Sequence, residues 1–234
     1  MNHAENTVLI RPKKVVWVLS ILIVLLVVAS TAGQLTRFLT EHDYVFGLVR
    51  MFSVAAESNV PAYIPSTILL ISAVLLGVIA FSKRGEKGSY AGHWKALALI
   101  FLFLSLDEAS QFHELLDAPM SDLLGHPGGF LTYAWVVPGL IAVCIFSGCY
   151  LRFLVDLPAR TRGLFLLAGS LFVLGALGFE MLGGYHDDRS GYTLTLAFLF
   201  TMEETLEMVG ILVFIYGLLD YLRAHIPELR LQFR

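Results

Sequence analysis

Charge is scarce in this chain. Only 15% of its 234 residues are Asp, Glu, Lys or Arg, against about a quarter in an ordinary soluble domain, and residues 15–32, 62–82 and 96–104 contain none. With 57% hydrophobic residues and a mean hydropathy of +0.74, a soluble globular domain is excluded and the sequence reads as an integral membrane protein. Cysteine is nearly absent too. Cys144 and Cys149 lie five apart in an apolar run, which rules out a disulfide framework or cysteine metal site and reads as core packing. The net charge of −3 carries no basic footprint for nucleic acid. A separate soluble domain has no room beside six spans of about 20 residues each.

The remaining apolar sequence divides into an all-α, six-span bundle forming a single membrane domain over residues 1–234, with spans at about 15–37, 62–82, 92–116, 130–154, 163–184 and 192–222. The first, after Arg11, Lys13 and Lys14, competes with a signal-peptide reading because Ala29, Ser30, Thr31, Ala32 and Gly33 imitate a cleavage region. Its apolar run is longer than a usual h-region of about 7–15 residues, which favours a retained helix. Residues 46–52 suggest a short helix on the membrane surface. Asn59 ahead of Pro61 marks the start of the second span, and Trp94 with Lys95 is expected to anchor the start of the third. The fourth span, nearly devoid of ionisable groups, is expected to face lipid. Lys and Arg gather at the N-terminus, in the 83–95 and 152–162 loops and in the tail from Arg223, while the alternate loops lack that bias. The loop 117–129 has no Lys or Arg at all. This pattern places both termini in the cytoplasm.

The interior charges are the informative ones. Asp107, Glu108, Glu114, Glu180, Glu203, Glu204 and Glu207 are seven acids in or at the ends of apolar spans, with no Lys or Arg in the span interiors to oppose them. An ionised acid at mid-span costs about 2.5–3.5 kcal/mol even on the lenient insertion scale. On a continuous helix Asp107, Gln111 and Glu114 share a face, with Ser110 beside them and His113 and Asp117 at its edge, while Glu108 points elsewhere, toward a second neighbour or another part of the site. Glu203, Glu204 and Glu207 fit one stripe. At about 1.5 Å per residue, Asp107 and Glu203 lie about 15 and 16 Å below the outer ends of their spans.

Positive charge must come from bound metal, shared protons, a transported cation, or Arg37, Arg50 and Arg189 reaching in. A divalent metal (zinc, iron or manganese) held by Glu57, Glu108, His113, Glu114, Glu180, His186, Glu204 and Glu207, with Asp107 and Glu203 as catalytic groups, would satisfy charge and ligand type. Each has a plainer alternative: His113 hydrogen-bonded to an acid, the span-six glutamates as a proton-sharing network, Glu57 as a surface acid at a helix start, and His186, Asp187 and Asp188 solvated in a loop. Gly183 and Gly184 either admit a close helix or end the span. Neither Glu-x-x-His nor H-E-x-x-H is present.

The segments Ala56-Glu-Ser-Asn-Val-Pro61, Leu104-Ser-Leu-Asp-Glu-Ala-Ser-Gln-Phe-His-Glu114, Gly178-Phe-Glu180 and Glu203-Glu-Thr-Leu-Glu-Met-Val-Gly210 together resemble a group of bacterial multi-pass membrane proteins without an assigned activity. The resemblance covers about residues 50–222 and implies a bacterial inner-membrane location. It lends no reaction. The membrane hydrolase superfamily of alkaline ceramidases and progestin-type receptors is a poorer match, because its paired histidines on a late span and its seven-span plan are missing.

The functional expectation is a metal-dependent membrane hydrolase or oxidase acting on a lipid-like or small-molecule substrate. Zinc would favour hydrolysis by an activated water, and iron or manganese oxidation. The rivals are a proton- or cation-coupled transporter and a non-catalytic membrane subunit. Against transport stands the lack of Pro or Gly at the acidic positions of spans three and six, since transporters break helices at mid-membrane.

Overall fold

The computed structural model describes residues 11–40, 45–54, 59–85 and 90–226. Glu57 and the tail beyond 226 lie outside the described residues. The described chain is all-helical, with five helices long and apolar enough to cross a membrane, or six when a bent helix pair is taken as one span.

The molecule is arranged around its last long helix. We number the α-helices in chain order: α1 Pro12–Thr40, α2 Leu48–Phe52, α3 Val60–Ser82, α4 Ala91–Ser110, α5 Asp117–Leu124, α6 Val136–Asp156, α7 Ala159–Val173, α8 Glu180–Ser190 and α9 Leu194–His225. Helix α9 packs against α1, α3 and α7. It therefore carries apolar side chains on several faces, as a helix enclosed by others must. Ile211, Leu212 and Ile215 meet Ile23 and Leu26 of α1 and Ile68 and Leu69 of α3. Further along, Phe214, Leu218 and Tyr221 meet Leu76, Trp94, Phe165 and Phe153.

Trp94 is 1% exposed and packs edge-on to Phe153 and Phe165. The expected interfacial anchor is thus a core ring. Next to it the Tyr90 hydroxyl donates to the Asp156 carboxylate, whose hydrogen bond raises the pKa of this phenol at the mouth of α4. Cys144 and Cys149 are exposed on α6, not core residues. Helix α6 buries only Val136 and Phe153, so its apolar periodicity serves an outward face and sweeps both cysteines onto it, in keeping with the expected lipid-facing span.

Small polar residues set the register beneath the acids. The Ser66 hydroxyl of α3 donates to the Ser105 carbonyl at 2.7 Å, and the Ser105 hydroxyl of α4 returns a bond to the Ser66 carbonyl at 2.8 Å. Such a reciprocal pair requires close backbones and fixes α4 two residues before Asp107. At the start of α3, Asn59 caps the helix by accepting from the Ala62 N–H at 3.2 Å, with Pro61 in the first turn. Its side-chain amide donates to the Arg50 and Ser53 carbonyls at 3.0 and 2.6 Å, tying the short surface segment to the bundle.

Candidate functional site: a carboxylate and histidine cluster

Span three is not one straight helix. Helix α4 ends at Ser110, Gln111 takes a left-handed conformation (φ 52°, ψ 47°), and the helical segment His113–Leu124 departs at 81°. This overturns the continuous span over 92–116 and the common face of Asp107, Gln111 and Glu114: Gln111 is the corner itself. Asp107 explains how a non-glycine corner is held. Its Oδ1 accepts the His113 N–H at 2.9 Å, and its Oδ2 meets His113 Nδ1 at 2.8 Å. The carboxylate therefore satisfies a backbone donor freed by the break and orients the imidazole.

Beyond the corner the chain is more ordered than a loop. Residues 117–124 form α5, so the expected 117–129 loop holds a helix, which closes on Gly125 in the left-handed region. The fourth long helix then starts at Val136 rather than near 130.

The segment before Val136 supplies a residue that the sequence reading overlooked. Trp135 donates its indole N–H to Glu180 Oε1 at 2.8 Å, and its ring lies 4.4 Å, centroid to centroid, from the His113 ring. Its backbone N–H reaches Asp117 Oδ1 at 3.3 Å. A tryptophan beside a span start normally reads as an interface anchor; the clue to this role was only that an indole N–H taken out of water needs an acceptor.

Glu180 reaches the cluster through an irregular helix. Between α7 and α8, residues Leu174–Phe179 form a π-helical turn, a widening frequent at functional sites. Gly175 within it lies against α9: a Cβ there would come within 2.8 Å of the Glu203 carbonyl and of Glu207 Cγ. The two acid-bearing elements thus touch backbone to backbone. Glu180 and Glu203 therefore lie close enough to act on one another across this contact. Glu203 Oε2 is buried and has no hydrogen-bond partner.

Glu204 and Glu207 interact with Glu108 of α4 as well as with Glu180, and Glu207 also with Asp107. Glu108 therefore faces a second neighbouring helix, one of the two options its position left open. Glu114 acts on His113, as does Glu180. Asp107, Glu108, His113, Glu114, Glu180, Glu203, Glu204 and Glu207, from three separate stretches of sequence, form one electrostatic neighbourhood. His113 is the basic side chain that acts on Glu108 and Glu180.

His186 stands apart. It lies in α8, with Nε2 2.7 Å from the Thr193 hydroxyl that caps α9. Asp187 and Asp188 are helical too, and not loop residues. Asp187 accepts the Tyr133 hydroxyl at 3.0 Å and Asp188 the Gly129 N–H at 3.1 Å, while Gly184 adjoins Thr132 and Tyr133, and Gly183 adjoins Phe200 and Leu196. Both glycines admit close neighbours, and the 129–135 segment is stitched along α8 beside the cluster. Arg37 and Arg189 do not supply the missing positive charge. They sit over aromatic rings, Arg37 4.9 Å from the Tyr192 centroid and Arg189 4.1 Å from that of Tyr185. Among the described residues, no group of three or more His, Cys, Asp or Glu is arranged to hold a metal ion.

Fold and site together define an all-helical candidate multi-pass membrane protein with an acidic cluster gathered around a broken helix, a π-turn and a long central helix. The chain belongs to the family of the Domain of unknown function DUF8692, whose model matches residues 18–222. Neither a curated protein nor a solved structure matches it.

Proposed function

We propose that this protein spans a bacterial inner membrane six times, with both termini in the cytoplasm, and that its cluster takes up and releases protons or another small cation from the outer side. The Lys/Arg distribution supports the orientation, with α4 and the His113–Leu124 segment together making the third crossing. The observation that carries the functional reading is the break at Gln111, bridged by Asp107 and His113. Discontinuous helices around a polar site are how many transporters bind ions, and the absence of Pro or Gly that argued against transport did not prevent the break. The neighbouring carboxyls of Glu180 and Glu203 supply a place for an exchangeable proton, and Glu108, Glu204 and Glu207 continue the acidic stripe inward.

A second reading rests on the unpartnered Glu203 Oε2. A divalent ion, zinc, iron or manganese, would give that oxygen a ligand and would turn the cluster toward hydrolysis or oxidation of a lipid-like substrate, with Asp107 or Glu203 as base. One experiment separates the two. Purified protein is assayed for bound metal by mass spectrometry and, in vesicles, for proton flux after a pH jump, alongside Glu203→Gln. Substoichiometric metal with a flux that the variant abolishes is the expected result. Stoichiometric metal lost in the variant, without flux, would replace transport by the metal reading.

A further inference from the structure

Away from the acids, α1 and the start of α9 form an open cleft of about 330 Å³ lined by Thr31, Gln34, Leu35, Leu194, Phe198 and Thr201, among others. Its wall is mostly hydrocarbon, and Leu35, Leu194 and Phe198 are exposed along it. Gln34 is 5% exposed, donates its amide to the Ser53 hydroxyl at 2.9 Å, and leaves its Oε1 buried without a partner. One turn outward of Gln34 on the same helix face lies Arg37, whose guanidinium sits 4.9 Å from the Tyr192 ring and 5.7 Å from the Phe38 ring. Tyr192 itself immediately precedes the α9 wall of the cleft. The two rings are stacked 6.0 Å apart. No ion pair joins Arg37 to a described carboxylate.

We infer that this is a binding site for one anionic phospholipid of the outer leaflet, its phosphate on Arg37 and an acyl chain in the α1–α9 cleft. Charge complementarity chooses the occupant. A cation held by two aromatic rings at the outer end of an apolar cleft matches a molecule with a negative head and a hydrocarbon tail, and a guanidinium offers paired donors to phosphate oxygens. The cleft volume falls within the range of ligand sites and suits part of a chain, with the remainder lying along the exposed α1 surface. The threonines leave the wall apolar, since Thr31 and Thr201 spend their hydroxyls on the Val27 and Ala197 carbonyls within their own helices.

The inference rests on a bilayer surrounding α1 and α9, and therefore on the membrane part of the preceding reading but not on proton or metal chemistry. The test is native mass spectrometry of the detergent-purified full chain titrated with phosphatidylglycerol, phosphatidylcholine or inorganic phosphate, repeated for Arg37→Gln and for Thr195→Trp, which projects a bulky ring from an exposed position at the cleft. Detergent-dependent extraction of the wild type from membranes is checked first, and its failure would sink the membrane reading itself. Phosphatidylglycerol should add as a single tight equivalent, above phosphatidylcholine and unaffected by phosphate. Arg37→Gln should weaken it about fivefold, the worth of one basic side chain at a membrane surface. Thr195→Trp should weaken both lipids while leaving the helical circular dichroism unchanged. Equal binding of the two phospholipids, wild-type affinity in Arg37→Gln, no effect of Thr195→Trp, or displacement by phosphate alone would each overturn the site.

Discussion

Asp107 is the residue on which the site's geometry turns. Both its oxygens are engaged by His113, so its first role is to hold a corner, and Glu203, with one oxygen unengaged, is the better placed of the two for exchange. Asp107→Asn keeps an acceptor for the His113 N–H but loses the charge-assisted bond to the ring. A loss of about 1–2 kcal/mol in unfolding free energy is expected, measurable as a lower thermal midpoint in detergent. An unchanged midpoint would show that the imidazole is held by Trp135 instead. The acids and His113 could be picked out of the sequence because ionisable groups in apolar runs are conspicuous. Trp135 could not, since nothing in the spacing of residues 135 and 180 brings an indole to a carboxyl.

At the level of elements, the cluster depends on two departures from regular helix. Gln111 adopts φ 52°, which costs a non-glycine residue on the order of 1 kcal/mol. Gln111→Gly should therefore stabilise the protein by about 0.5–1 kcal/mol, while Gln111→Val should destabilise it by more than that, because a β-branched residue is poorly accommodated there. If glycine destabilises, the glutamine side chain holds the corner through contacts of its own. The π-turn makes the complementary case. Gly175→Val would drive side-chain atoms into the Glu203 backbone, so the π-turn and α9 must separate; a loss of about 1–3 kcal/mol is expected, together with impaired proton flux. A midpoint close to wild type would mean that the widened turn can yield without parting the acids.

For the molecule as a whole, the alternation of basic and non-basic loops makes a prediction that needs no knowledge of the site. With Cys144 and Cys149 replaced by alanine, Arg84→Cys should react with an impermeant maleimide only from the cytoplasmic side and Asp122→Cys only from the outer side. Labelling of both from one side would make the α4–α5 unit re-entrant and leave five crossings. The same geometry bears on α5: after the 81° turn, Leu115 just before it and Leu123 and Leu124 at its end are exposed.

Composition and hydropathy alone determined that the chain is built of long apolar helices, and the isolated acids marked which of them carry the polar site, because a charge in an apolar run stands out without knowledge of its neighbours. Tertiary structure decided the rest. It bent the third span at a glutamine rather than at Pro or Gly, since the Asp107 carboxylate takes up the donor released there. It buried Trp94 and exposed both cysteines, because helix rotation depends on what packs alongside, and it placed α9 at the centre, where helices distant in sequence bring acids from α4, α8 and α9 together. Periodicity along a chain states which residues share a face; which faces meet is fixed only when the helices close on one another.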